Sequence, residues 1–378
     1  MMQVFGRSNI SEFLGARIVY RNLIPMDKKL LPFSKIKEEI GLISSEIPRK
    51  SEKEYAEVIV QMLMQARSID TPGLKIARLI FIGDTRLNDG TAFANICQAG
   101  GWPGIAFIGA ETSEPIDIEI VGVTRNQSLF LANRWNALSE FEQFCTEKGF
   151  PVDEHTAVIF DLDKTTIGAR GRNAHVIDQA RVQAVEDTVA ALVGDNFDEN
   201  AFQLDYSTLN KVEFHPFTTD NQDYLAYICM ILGSSLYDLQ SIVDAVSNGS
   251  LRTFKQFITE VDTLADQLQP ELVSIHKEVY ANVRAGDPTP FKAFRRNEYL
   301  RTVSKMGQLD DTLPVNSYLD SEIVITQEVR SIGLAWQKSG ALLMGLSDKP
   351  DEASIPTKEL EEQGYLPIHQ TVTHSVGT

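Results

Sequence analysis

The sequence predicts an α/β protein with a doubly wound parallel sheet and a second, mainly helical domain inserted into it. Four short, nearly continuous apolar runs each end in polar or acidic residues, and segments with helical spacing separate them. One further long stretch has helical spacing throughout. Strands that are covered on both faces are typical of parallel sheets, which bind their ligands at the carboxyl ends of the strands.

The first part of the chain predicts one helix, one strand and a second helix. Residues 56–67 (AEVIVQMLMQAR) have helical spacing, and the run ARLIFIGDT (77–85) is the first buried strand. The segment TAFANICQA (91–99) is again helical, and Gly100 and Gly101 are its expected stop.

The next strands are GIAFIGAET (104–112) and TAVIFDLDK (156–164), both apolar and both with polar carboxyl ends. In the segment between them, the stretch SLFLANRWNALSEFEQFC (128–145) is expected to be helical.

After the third strand the alternation of strands and helices stops. Residues 167–325 contain no convincing strand pair. Helices are predicted there at 181–193, 237–248, 254–268 and 271–284, among others. The helix VRSIGLAWQK (329–338) and the strand GALLMGLSDK (340–349) then resume the first pattern. We therefore expect a core made of residues 1–166 and 326–378, with residues 167–325 as an inserted helical domain.

Composition and charge exclude several classes of protein. The 378 residues carry 52 acidic and 35 basic side chains, a formal charge of −17, which disfavours nucleic acid and anionic membranes as partners. Any phosphate chemistry would need a local cation. The three cysteines, at 97, 145 and 229, form no metal-binding spacing, and no apolar run has the length of a signal peptide or membrane span. The sequence therefore predicts a soluble cytoplasmic protein with reduced thiols.

Acidic residues follow two of the predicted strands directly. Asp161 and Asp163 alternate along an extended backbone after TAVIF, and Asp84 and Asp89 follow ARLIFI in the segment GDTRLND. If the two strands are adjacent, these carboxylates would surround a single ion. Mg²⁺ prefers oxygen ligands and would relieve their mutual repulsion. Asp89 has an alternative role as the cap of the helix that begins near Thr91.

These motifs together resemble the haloacid dehalogenase superfamily, specifically its phosphatase branch. The family's first motif, DxDxT, is filled by Asp161, Asp163 and Thr165. The resemblance implies a Rossmann-like core with an inserted cap, Asp161 as a nucleophile that forms an aspartyl-phosphate, and Asp163 as the general acid and base. It also implies Mg²⁺ held by Asp161, the backbone carbonyl of Asp163 and Asp84, with Asp89 in support.

The family's other two motifs are a serine or threonine that ends a strand and a lysine near the start of a helix. Ser347 in ALLMGLSDK fits the serine that binds the phosphate. Lys50, ahead of the helix at 56–67, fits the lysine that neutralises the nucleophile and the phosphate. Lys53 and Lys349 are alternatives for this lysine.

The motifs occur in the cyclic order of the family but begin at a different point. The chain runs lysine, GDxxxxD, DxDxT, serine, which indicates a circular permutation with the break between the serine and the lysine. Residues 1–50 and 348–378 should then complete the far side of the sheet together, and residues 112–150 would be the linker that joins the original ends of the family's chain. Either ARIVYR (16–21) or PIHQTVTH (367–374) would supply its missing strand.

The resemblance implies a Mg²⁺-dependent phosphatase that acts on a small phosphorylated metabolite. Arg170 and Arg172, in the loop after the nucleophile, would meet a charged group of the substrate, although they also suit ordinary loop arginines. Two alternatives stay open: a phosphotransferase or mutase of the same family, and a non-catalytic protein that uses the acidic site for metal-dependent binding.

Overall fold

The computed structural model describes residues 2–43 and 46–378. The described chain forms a seven-stranded and a three-stranded sheet. The strands are β1 (Gln3–Ser8), β2 (Ile18–Val19), β3 (Arg78–Gly83), β4 (Gly104–Gly109), β5 (Ile118–Thr124), β6 (Gln127–Ala132), β7 (Thr156–Asp161), β8 (Ile325–Thr326), β9 (Leu342–Leu346) and β10 (Thr373–Gly377).

The larger sheet has the order β2-β9-β7-β3-β4-β6-β5. All neighbouring strands in it are parallel except β5 and β6, which are antiparallel. The four strands expected from the apolar runs are therefore confirmed as β3, β4, β7 and β9. They lie side by side in the centre of a mostly parallel sheet, which is compatible with a Rossmann-like α/β fold.

Helices make up most of the remaining chain. They are α1 (Ser11–Leu14), α2 (Phe33–Ile40), α3 (Lys53–Asp70), α4 (Asp89–Gly100), α5 (Leu138–Glu147), α6 (Ala174–Val193), α7 (Glu199–Leu209), α8 (His215–Thr218), α9 (Gln222–Gly233), α10 (Leu239–Ser247), α11 (Phe254–Thr263), α12 (Pro270–Arg284), α13 (Lys292–Val303), α14 (Val315–Ser321), α15 (Gln327–Lys338) and α16 (Lys358–Glu362). In the described chain, none of these helices is both long and apolar enough to cross a bilayer.

Helices cover both faces of the larger sheet because successive strand residues point to opposite sides. Phe81 and Ile159 belong to the core formed with α3 and α4. On the other face, the ring of Phe160 lies 5.4 Å from that of Phe13 in α1 and 6.4 Å from that of Trp336 in α15. The central strands are thus buried on both sides, as their continuous apolar sequences predict.

The expectation for residues 112–150 was wrong in part. This segment is not a plain linker, because β5 and β6 form a hairpin that adds two strands to the sheet beside β4. In the stretch 128–145, the residues up to Ala132 are strand, and only the part from Leu138 is α-helix. The side chain of Phe130 packs against Phe107 and Phe141, so this part of the hairpin is held by the core.

The two ends of the described chain meet in the structure, although only one of them completes the larger sheet. Ile18 and Val19, from the segment 16–21, pair in parallel with Gly345 and Leu346 of β9. The alternative segment 367–374 does not supply this strand. Instead β10 pairs with β1 and β8 in the three-stranded sheet.

The chain divides into two compact units, residues 1–179 with 302–378, and residues 180–301. The predicted insertion, residues 167–325, contains the whole of the second unit. All residues of that unit are described, and they form helices without strands. Its core is apolar and includes Tyr227, Phe254 and Phe257.

A buried ionic network holds three helices of the second unit together. Arg295 in α13 donates two hydrogen bonds to Asp223 in α9 and one, of 2.6 Å, to Glu298. Arg181 in α6 donates to the other oxygen of Glu298 at 3.0 Å. Because Asp223 is fully buried, removal of Arg295 would leave its carboxylate without its charge partner.

Candidate active site

Three carboxylates meet at the carboxyl ends of adjacent strands in the first unit. Asp161 is the last residue of β7, and Asp84 follows β3, which pairs with β7 in parallel. Asp89 is the first residue of α4. One oxygen from each of the three lies within 4.8 Å of the other two. The condition set in the sequence analysis, that these two strands are adjacent, is therefore met, and three of the four carboxylates named there converge.

Lys50 provides a cation at the centre of this cluster. Its Nζ donates to Oδ1 of Asp161 and to Oδ1 of Asp89, each at 2.6 Å. The lysine side chain is 1% exposed. Lys53 is exposed at the start of α3, and Lys349 is buried beyond Ser347. Of the three lysines that the sequence offered, Lys50 is the one hydrogen-bonded to Asp161.

The carboxylate of Asp89 is committed to hydrogen bonds on both oxygens. Oδ1 accepts from Lys50, and Oδ2 accepts from the backbone N–H groups of Asp84 and Thr85 and from the Thr85 hydroxyl. Asp89 therefore holds the turn after β3 rather than capping α4. Gly83 makes room for it, because a Cβ there would lie 2.7 Å from the Cβ of Asp89.

Burial and mutual repulsion perturb the titration of the cluster. Burial raises the pKa of Asp161 well above its usual range. The charge of Lys50 lowers this pKa, whereas the charges of Asp89 and Asp84 raise it. Burial and the charge of Asp89 raise the pKa of Asp84 to about 7. Although burial opposes it, the ion pair with Lys50 lowers the pKa of Asp89 to about 2. Burial likewise opposes the charge on Lys50, but Asp161 and Asp89 raise the lysine pKa well above normal.

Two carboxylate oxygens of the cluster remain for a metal. Lys50 donates to Oδ1 of Asp161, and Arg170 Nε donates to Oδ2 of Asp84 at 2.5 Å, so each of these two carboxylates has a second oxygen that neither cation binds. Oxygen donors from one or two carboxylates are the set that Mg²⁺ commonly takes from protein. The residues therefore fit a magnesium ion held by Asp161 and Asp84, with Asp89 as a positioning group.

The remaining predicted catalytic residues lie around this cluster. Asp163, two residues beyond Asp161, is half-buried and its carboxylate is not among the three that converge. Ser347 follows Leu346, which is the register partner of Asp161 in β9. The Ser347 hydroxyl accepts the Lys349 N–H at 3.0 Å. The Thr165 hydroxyl is buried and has no partner in the described chain.

The two arginines of the loop after Asp161 have different surroundings. Arg170 pairs with Asp84 and its side chain is 40% exposed. Arg172 is buried, and its guanidinium donates to Glu328 and Glu111. The structure thus brings Arg170 to the carboxylate cluster. The two terminal nitrogens of Arg172 instead bind carboxylates outside the cluster.

Sequence reasoning missed two threonines that order the site. Thr166 donates its hydroxyl to the backbone carbonyl of Asp161 at 2.7 Å, and Thr85 donates to Asp89. Each threonine stands beside a residue of a motif, at DLDKTT and GDT. A hydroxyl next to a strand end is the only sequence signal for such contacts, since these side chains commonly bind nearby backbone groups.

A pocket of about 300 Å³ opens beside Asp84. It is lined by residues at the ends of β4 and β6 and the start of β5, among them Ile108, Asp117, Glu119 and Leu131. The pocket therefore lies at the same edge of the sheet as the carboxylate cluster, where open α/β sheets bind ligands.

Comparison with protein-family models, curated proteins and solved structures finds no significant match to this chain.

Proposed function

We propose that this protein is a Mg²⁺-dependent phosphatase that hydrolyses small phosphomonoesters, with Asp161 as its nucleophile. The observation that carries the proposal is the buried lysine that joins Asp161 to Asp89 at the strand ends where Asp84 also lies. Phosphoryl transfer depends chiefly on positioning and on neutralising negative charge. A carboxylate held by a fixed cation beside further oxygen ligands provides both.

The proposed reaction has two steps at phosphorus. A carboxylate oxygen of Asp161 attacks the phosphorus while the ester P–O bond breaks, and Asp163 gives its proton to the departing alcohol oxygen. A water oxygen then attacks the phosphorus of the aspartyl-phosphate, and Asp163 takes the proton from that water. The bond between phosphorus and Asp161 breaks, which releases phosphate and restores the carboxylate.

Each of the surrounding groups has one part in this scheme. Lys50 fixes the orientation of Asp161 through Oδ1, which leaves Oδ2 for the attack or for the metal. Asp84 and Asp161 would hold the ion, and Mg²⁺ supplies positive charge to the phosphate oxygens when bound. Ser347, directly after the strand that pairs with β7, would donate its hydroxyl to a phosphate oxygen.

The arrangement of the chain supports the resemblance to a circularly permuted haloacid dehalogenase-like phosphatase. The strands that end in the three motif segments, β3, β7 and β9, are direct neighbours although they are distant in sequence. The helical second unit, Ala180–Arg301, lies between Asp161 and Ser347 in sequence, where the resemblance expects a cap. The pocket beside Asp84 has the volume of a small ligand site, so we propose a small metabolite as substrate.

Phosphate release from a panel of phosphomonoesters, with Mg²⁺ and with a chelator, tests the proposal. We expect Mg²⁺-dependent release that Asp161→Asn abolishes and that Asp195→Asn, a change at an exposed aspartate of the second unit, leaves unchanged. Acid quenching should trap phosphate on the peptide that contains Asp161. No release from any ester by the folded wild-type protein would refute a phosphatase.

Two outcomes of the same assay would favour the alternatives. Phosphate transfer to an added alcohol, with little release in its absence, would indicate a phosphotransferase or mutase. Mg²⁺ binding without turnover of any ester, and without phosphate on Asp161, would indicate a metal-dependent binding protein.

A further inference from the structure

We propose that Arg170 is an internal counter-ion of the carboxylate cluster, which competes with a divalent cation for Asp84 and so weakens metal binding. The inference rests on the proposed function for the identity of the cation, Mg²⁺. It assigns to Arg170 a role toward the protein's own carboxylates instead of the substrate contact that the sequence suggested.

The contact itself has the geometry that competition requires. Arg170 Nε donates to Oδ2 of Asp84 at 2.5 Å, and the Asp84 side chain is only 6% exposed. The arginine side chain is 40% exposed, so its guanidinium borders solvent. A cation that is buried on one side and hydrated on the other can leave the carboxylate at a smaller cost than a fully buried one.

The backbone of Arg170 is fixed, which confines any movement to the side chain. Its carbonyl accepts the Glu111 N–H at 2.8 Å and the Trp135 Nε1–H at 3.2 Å, and its own N–H donates to the Lys164 carbonyl at 2.7 Å. The next residue, Gly171, has φ +76°, and a Cβ there would lie 1.8 Å from the Glu111 carbonyl oxygen. These contacts hold the backbone of Arg170 beside Asp84.

The balance of charge gives the direction of the effect. With all groups ionised, the three clustered carboxylates are offset by Lys50 and Arg170, which leaves one net negative charge. Without Arg170 the cluster would carry two. A divalent cation is attracted more strongly to the second arrangement, and it also escapes repulsion by the guanidinium. Removal of Arg170 should therefore tighten metal binding.

Calorimetric titration of Mg²⁺ into the substrate-free protein at about pH 9, where Asp84 is ionised, tests this inference without reference to turnover. We expect Arg170→Gln to bind Mg²⁺ about tenfold more tightly than the wild type, the size of effect that one nearby charge has in a partly exposed site. Arg170→Lys keeps the charge but loses the planar fork, so its affinity should fall in between. The matched control is Arg125→Gln, which removes an exposed arginine in the turn between β5 and β6, at the end of the sheet away from Asp84, and should change affinity by less than about twofold.

The outcomes separate this inference from the proposed function. Unchanged or weaker Mg²⁺ binding by Arg170→Gln, with the wild type binding normally, would overturn the competition and leave the phosphatase proposal intact. If circular dichroism shows that Arg170→Gln does not fold, Arg170→Lys decides: affinity equal to the wild type would overturn the inference. Absence of Mg²⁺ binding in every variant would overturn the inference together with the proposed metal site.

Discussion

Replacement of Lys50 by methionine should strongly destabilise the first unit. Each of its two 2.6 Å contacts with Asp161 and Asp89 represents about 6 kcal/mol of attraction at an effective dielectric constant of about 20. Much of this attraction is offset by the cost of burying the ions. Loss of one partner from a buried ion pair typically costs about 3–5 kcal/mol, and we expect a loss of that size in the free energy of unfolding.

The loss should depend on pH in a defined direction. Without Lys50, the pKa of Asp161 would rise further above that of the unfolded chain, and the pKa of Asp89 would lose the charge that lowers it. A raised carboxylate pKa destabilises the folded protein as pH rises above the unfolded pKa. Urea unfolding at about pH 8 and about pH 5.5 should therefore show the larger loss at the higher pH. Lys53→Met, which removes an exposed lysine three residues away, is the matched control. A loss below about 1 kcal/mol at the higher pH, or one equal to the control, would refute the reasoning.

Three further predictions concern other charged or titratable groups of the first unit. Because Asp84 has a pKa of about 7 and binds metal only when ionised, Mg²⁺ affinity measured by calorimetry should fall about tenfold per pH unit below about pH 7, and a flat profile would contradict this. Arg172→Gln should lower the free energy of unfolding by about 3–5 kcal/mol, since it breaks a buried pair with Glu328, whereas the exposed Arg86→Gln should cost little. Burial lowers the pKa of His369 from 6.5 to about 4, so stability should be lost as pH falls between these values, by up to about 3 kcal/mol, and His369→Gln should lack this slope in urea titrations.

The central strands were predictable because their sequences meet a demanding condition. A strand buried on both faces must be apolar at every position, and few other segments of this length satisfy that condition. The convergence of Asp84 and Asp161 followed from the same fact, since neighbouring parallel strands end at one edge of the sheet. What could be predicted was therefore the part of the site that lies directly on the strands.

The hairpin β5–β6 was missed because its residues lack that signal. Most of β5 is exposed, and its alternation is broken by Gly122, close to a bulge in the pairing. The three-stranded sheet could not be read either, because β1 and β10 pair across almost the whole length of the chain and β8 has two residues. Pairing between distant, short strands leaves no periodic pattern in either one.

The contacts made by loops were beyond sequence reasoning for a different reason. The pairing of Arg170 with Asp84 depends on a loop path that passes so close to Glu111 that only glycine fits at position 171.

The order in which the motifs occur along the chain, in contrast, has no bearing on the site. The carboxylates and Lys50 come together because β7 lies between β3 and β9, and that adjacency is maintained by backbone hydrogen bonds and by the helices on both faces. A circular permutation moves the chain termini from one loop to another. It does not alter the contacts among Lys50, Asp89 and Asp161. A circular permutant of this protein with new ends in an exposed loop should for that reason keep the lysine-bridged pair.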